Sequence, residues 1–172
     1  EQFMVRVYMG EPNFEPKSVP VVSDKKEFVS EKIETSFGTY EISSLFMGTT
    51  HTVTFSDNLI KENIEGVGKE IENNPIFPVK TNVNFVEIIP DGIRIATYER
   101  GVEDETLACG TGVTAAAIVM METGYFKGEG KVIAKGGNLS VKAIKDPETQ
   151  RYESIWLTGP AKKVFEGKIQ VQ

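Results

Sequence analysis

The sequence predicts an α+β fold: a curled mixed or antiparallel sheet wrapped around one central helix. Three observations lead there. Strand-like runs, about eight or nine of them, recur along the whole chain between turn residues. Residues 110–123 read as a helix with no polar face over Ala115–Met121. Residues 59–73 read as a second helix, apolar on one side only. A helix apolar all round must be buried, and in a chain so rich in strands a sheet has to bury it. The amphipathic helix belongs on the outside.

The elements follow in order. Phe3–Met9 is rich in β-branched and aromatic residues and predicts a strand. Three prolines between Glu11 and Pro20 mark a loop. Strands are expected over Lys26–Glu34 and Thr39–Met47, separated by TSFG, and over His51–Ser56. The amphipathic helix places apolar residues at Ile60, Ile64, Val67 and Ile71, is weakened by Gly66 and Gly68, and has Asn58 as its N-cap and Pro75 as its stop. NVNFVEII (82–89), a Pro-Asp-Gly turn and GIRIATYE (92–99) spell a hairpin. After the apolar helix, ended by Gly124, strands are expected over 131–135, 139–145 and 152–159, with a further tail strand in 161–172. There is no repeat, linker or low-complexity segment, so residues 1–172 are read as a single domain.

Composition narrows the functions. The net charge is −6 with no long basic run, which argues against nucleic acid or an anionic membrane as the main partner. No apolar stretch reaches the roughly 18 residues of a membrane span, and EQFMVRVYMG does not read as a signal peptide. One cysteine excludes an internal disulfide, and with a single histidine it leaves no Cys/His zinc site within the chain. A cytoplasmic location is the simplest expectation.

The single cysteine is the residue with chemistry to offer. Cys109 falls immediately before the first turn of the apolar helix, where the N–H groups of Gly110, Thr111 and Gly112 have no intrahelical acceptor. Those donors and the helix dipole favour negative charge, whether a thiolate or a bound carboxylate or phosphate. A lone cysteine beside an apolar helix is more commonly a small buried hydrophobe; the glycine-flanked helix start, with Glu99-Arg100-Gly101 upstream, points to function. Gly110–Ala115 also matches the G-x-G-x-x-G/A dinucleotide pattern. That pattern needs a buried strand before it, and the preceding VEDETLAC is polar.

The stretch ERGVEDETLACGTG (99–112) resembles the second cysteine motif of the diaminopimelate epimerase family. VYMGEP, MGTTH, IENNPIFPVKTNVNFVEI, GGNLSV and LTGPAKKVFEGKI resemble further family segments in the same order along most of the chain. Members have two similar halves, each a curled sheet around a central helix, with the active site between them. This chain resembles the C-terminal half, and the tail strand at 161–172 would then pack on the absent N-terminal half. Half of a two-domain cleft would leave apolar surface exposed, which favours self-association, with a homodimer among the forms open to it.

The resemblance implies inversion of a carbon α to a carboxylate, on a small amino-acid substrate, without pyridoxal phosphate, metal or other cofactor. One thiolate removes the α-proton and a thiol of the other half delivers a proton to the opposite face; Cys109 would be one of the pair. Gly110 and Thr111 would hold the substrate carboxylate through their N–H groups. Asn82, Arg100 and Thr49 would contact the far end of the substrate, Glu99 an ammonium group, and His51 would support the site near Cys109. Each has a simpler reading: a surface ion pair of Arg100 with Glu103 or Asp104, a strand-start Asn82, a core His51. Thr49 stands where the family has Asn, and the loop from Glu99 to Cys109 is one residue longer than in the family; both bear on the substrate. Other readings are a related racemase or isomerase with another substrate, and a non-catalytic module that binds a carboxylate.

Overall fold

The structure, a computed structural model, describes residues 2–170. Its strands are β1 (Gln2–Tyr8), β2 (Phe28–Thr35), β3 (Gly38–Phe46), β4 (Thr50–Phe55), β5 (Asn82–Ile89), β6 (Gly92–Glu99), the short β7 (Asp104–Glu105), β8 (Glu129–Ala134), β9 (Gly137–Lys145) and β10 (Tyr152–Lys162). The helices are α1 (Ile64–Glu72) and α2 (Gly110–Glu122). One sheet runs in the order β1-β10-β9-β8-β6-β5-β4-β3-β2, with β7 paired to β6. The sheet is mixed: β4 pairs with β5 and β6 with β8 in parallel, and the other pairs are antiparallel.

Parallel neighbours need a crossover, and each helix supplies one: α1 between β4 and β5, α2 between β6 and β8. Both crossovers step the same way across the sheet, but β4 and β6 run in opposite directions. Right-handed connections then require the helices to lie on opposite faces. Two separate cores bear this out. Leu45, Val53, Val86, Ile93, Ile95, Val132, Val141 and Ile155, from β3 through to β10, close around Val113–Met120 of α2. Ile33, Ile42, Val83, Phe85, Ala96 and Tyr98 pack with Ile64, Val67 and Ile71 of α1 on the other face. The sheet thus wraps α2, which is buried from Gly112 to Met120, and α1 lies outside it, as the apolar patterns require.

The boundaries show where local chemistry overrides periodicity. Asn58 does not cap α1; its side chain accepts from Ile60 N–H at 3.0 Å in a turn of its own. The cap is Asn63, which accepts from Gly66 N–H at 3.0 Å, so Ile60 is left exposed outside the helix. Gly68 faces Tyr98, and a Cβ there would fall 2.6 Å from the ring. That glycine lets α1 lie flat on β6. Gly92, after the Pro90-Asp91 turn, has φ +148°, and a Cβ would meet Lys131 O of parallel β8 at 2.3 Å.

The expected tail strand at 161–172 begins within β10. β10 continues to Lys162, but residues 163–170 carry no strand. β10 is already flanked by β9 and β1, and its pairing with β1 ends at Gln2–Lys162. Past that point Val164, Phe165 and Ile169 are exposed. The last two positions of the expected strand lie outside the described residues.

Candidate active site at the start of helix α2

The register gathers the candidate residues at one end of the sheet, on the α2 side. Asn82, Asn84 and Val86 share a face of β5, His51 and Val53 a face of β4, and Ile95, Thr97 and Glu99 a face of β6, because side chains alternate along a strand. Val53, Val86 and Ile95 pack on α2, so the polar members of each set point the same way. His51 pairs with Asn82, and Asn84 with Thr97. β6 ends where β4 and β5 begin, and the chain returns from Glu99 through β7 to the first turn of α2.

Cys109 is the N-cap residue of α2 with extended backbone (φ −115°, ψ 110°), and no side chain caps the helix. The thiol is partly exposed. Its Sγ lies 3.5 Å from Thr111 Oγ1, and Thr111 Oγ1 lies 2.9 Å from His51 Nε2. His51 is fully buried, and burial, with the Arg100 charge adding to it, lowers its pKa to about 3. The imidazole is therefore neutral at physiological pH. His51 is thus a core histidine by burial, and its ring stands beside Thr111, two residues from Cys109.

A second group forms around Arg100. Its guanidinium donates to Val79 O at 2.8 Å, to Thr49 Oγ1 at 3.1 Å and to Thr50 Oγ1 at 3.4 Å. Its backbone N–H donates to Asn82 Oδ1 at 3.0 Å, and Asn82 Nδ2 donates to Thr50 O at 2.8 Å. Arg100 thus does not pair with Glu103 or Asp104. Glu103 instead lies 3.5 Å from Lys80. Asn82 is the first residue of β5 and is buried, with one N–H left uncommitted. Glu99 is half-buried at the end of β6, and its carboxylate has no hydrogen-bond partner among the described residues.

The sequence reading did not single out Asn84 and Thr97. Asn84 Nδ2 donates to Thr52 O at 3.0 Å and meets His51 Nδ1 at 3.2 Å, while Asn84 Oδ1 accepts from Thr97 Oγ1 at 3.0 Å. The signal was present: in NVNF the two asparagines stand two apart, on one face of a strand otherwise made for a core. Gly112 is explained by the same contact, since a Cβ there would fall 2.4 Å from Asn84 Oδ1. Gly110 is less constrained, with Leu157 at 3.3 Å. The second glycine of the apparent dinucleotide pattern thus serves helix-to-sheet packing. The element before α2 is the two-residue β7, not the buried strand that such a pattern needs.

The fold is shared with a solved epimerase. A hydroxyproline epimerase from Agrobacterium vitis, solved with trans-4-hydroxy-L-proline bound, superposes with a TM-score of 0.62 over 93% of this chain and 50% of its own, at 15% identity. The family is set by sequence: the diaminopimelate epimerase profile matches residues 43–164, and the chain belongs to that family. Diaminopimelate epimerases of Caldanaerobacter subterraneus subsp. tengcongensis and Carboxydothermus hydrogenoformans are each 37% identical to it, over 97% and 98% of this chain. The chain spans 59% of the length of each of these relatives.

Proposed function

We propose that this chain is the half of a cofactor-independent amino-acid epimerase that carries one of two acid–base thiols, with LL- and meso-diaminopimelate as the substrate pair. The observation that carries the reading is the Cys109–Thr111–His51 line at the uncapped start of α2, inside the segment that matches the family. In one direction the Cys109 thiolate takes the α-proton, leaving the electron pair on the substrate. A thiol on an N-terminal half returns a proton to the opposite face, so the α-carbon is inverted and the two sulfurs exchange protonation states. Negative charge gathers on the substrate carboxylate, where the N–H groups of Gly110 and Thr111 receive it; preorganised donors of this kind are a large catalytic term. Glu99 offers a carboxylate to an ammonium group, and Arg100 and the remaining N–H of Asn82 face the distal end.

The test is exchange of the α-proton of diaminopimelate in D₂O. The full-length enzyme should exchange, and Cys109→Ala should lose on the order of 10²–10⁴ in rate, the usual worth of a positioned proton-transfer group. The 172-residue chain alone should not turn over, having a single thiol. Wild-type exchange by Cys109→Ala would overturn the reading in favour of a carboxylate-binding module. Thr49, in place of the family Asn, favours a second substrate: with a shorter reach and no amide it holds the distal end less selectively. We therefore expect measurable racemisation of simpler diamino acids such as lysine.

A further inference from the structure

We propose that Asn84 is a positioning residue which sets the tautomer of His51 and thereby aims the Thr111 hydroxyl proton at Cys109. The argument is one of donors and acceptors. The Asn84 amide can be oriented only one way: a backbone carbonyl, Thr52 O, lies 3.0 Å from one end and must face the NH₂ group. The Thr97 hydroxyl, 3.0 Å from the other end, then donates to Oδ1. An NH₂ group has two hydrogens and nothing with which to accept. One goes to Thr52 O; the other points at His51 Nδ1, 3.2 Å away, which has to be the bare nitrogen. With His51 buried and neutral, its proton sits on Nε2, since the bond made by one ring nitrogen decides the state of the other. Nε2–H then donates to Thr111 Oγ1 at 2.9 Å. A hydroxyl has one proton, and with its oxygen accepting from His51 that proton is free for Sγ of Cys109 at 3.5 Å.

The relay is therefore directional from Thr97 and Asn84 to the sulfur, and every member but the last two is fully or almost fully buried. A histidine without this constraint could present either nitrogen to Thr111, and half of those arrangements would turn the hydroxyl proton away from sulfur. Gly112 belongs to the device, because only a residue without Cβ lets the Asn84 amide sit against the helix. The inference rests on Cys109 as an acid–base thiol for its catalytic meaning, but not for its geometry.

The chain holds a single histidine, so ¹⁵N NMR of the imidazole reads one unambiguous signal pair. The wild-type chain should show the Nε2–H tautomer alone, unchanged across about pH 5–8. In Asn84→Asp a carboxylate faces Nδ1 and should draw the single proton there, giving the neutral Nδ1–H tautomer. Alkylation of Cys109 by iodoacetamide at neutral pH should slow about three- to tenfold in that variant, as sulfur loses a hydroxyl donor, a bond of order 1 kcal/mol. A wild-type Nδ1–H or mixed tautomer would overturn the proposal even if the variant failed to fold. So would an Asn84→Asp protein that keeps Nε2–H, or one whose thiol reacts at the wild-type rate. Absence of epimerase activity in the full-length protein would sink the proposed reaction and leave these readings standing.

Discussion

Arg100 is anchored by Thr49: its Nη2 lies 3.1 Å from the threonine Oγ1. The hydroxyl spends its acceptor on the guanidinium, which the Val79 carbonyl also holds at 2.8 Å. Removing one of its three contacts should loosen the charge without unfolding the loop. Thr49→Val in the full-length enzyme is expected to raise KM for diaminopimelate about five- to tenfold with little change in kcat, corresponding to roughly 1–1.4 kcal/mol of binding. Steady-state kinetics decide it: an equal fall in kcat at unchanged KM would place Thr49 in the chemical step instead.

His51 makes stability depend on pH. Its folded pKa, about 3, lies below the ordinary value of 6.5, so below pH 6.5 the unfolded chain binds a proton that the native chain refuses. The contribution is full above 6.5 and is lost as pH falls, by about 1.4 kcal/mol per pH unit down to about pH 3. Urea unfolding at about pH 7.5 and pH 5 should differ by roughly 2 kcal/mol from this residue. His51→Gln should flatten that difference; an equal slope in the variant would assign the effect to other groups.

Glu72 acts in the opposite sense. Its carboxylate is fully buried, Oε1 has no hydrogen-bond partner, and Lys80 Nζ stands off at 3.7 Å. Burial, with the nearby Glu103 carboxylate adding to it, raises its pKa. The stability it contributes is therefore present below about 4.5 and lost as pH rises through the raised value. Glu72→Gln should raise Tm at about pH 8 by about 2–4 °C, the shift that roughly 1 kcal/mol makes in a chain of this size, and gain less near pH 4.5. A Tm that drops at pH 8 would show that Lys80 outweighs burial.

The two glycines of α1 should respond differently to alanine. At Gly68 the new Cβ meets the buried Tyr98 ring at 2.6 Å, and overpacking of about 1–3 kcal/mol exceeds the roughly 1 kcal/mol gained in helix propensity. At Gly66 the neighbours are the exposed Phe37 ring and the side chain of the N-cap Asn63, whose displacement costs about 1 kcal/mol of cap bond and roughly cancels the gain in propensity. Thermal melts should show Gly68→Ala destabilised and Gly66→Ala within about 0.5 kcal/mol of the wild type. Equal loss in both would mean that propensity arguments fail for this helix.

Hydrophobic pattern and turn chemistry made the elements legible, down to a buried helix with no polar face. The cap of α1 was misplaced because Asn58 and Asn63 are chemically equal candidates, and only Asn63 has Gly66 N–H within reach. Cys109, Thr111, His51 and Arg100 could be picked out because motif spacing marks them. Asn84 could not, because its role is a contact across three strands: Thr52 in β4, Thr97 in β6 and its own β5. That residues 163–170 carry no strand was likewise invisible, since they have strand composition and no neighbour to pair with among the described residues.

The order of synthesis gives the all-apolar α2 a further consequence. Much of its covering, β8, β9 and β10, is encoded after it, so about forty residues must still be made once the helix sequence is complete. At ordinary elongation rates of about 5–20 residues per second, the helix waits some 2–8 s with one flank bare. Ala115–Met121 leaves the ribosome while β8 to β10 are still held inside it, so chains arrested just after β10 has been made should be captured by a holdase more than the released, folded chain. The apolar surface that seats the helix in the finished protein is thus also the surface that the nascent chain exposes.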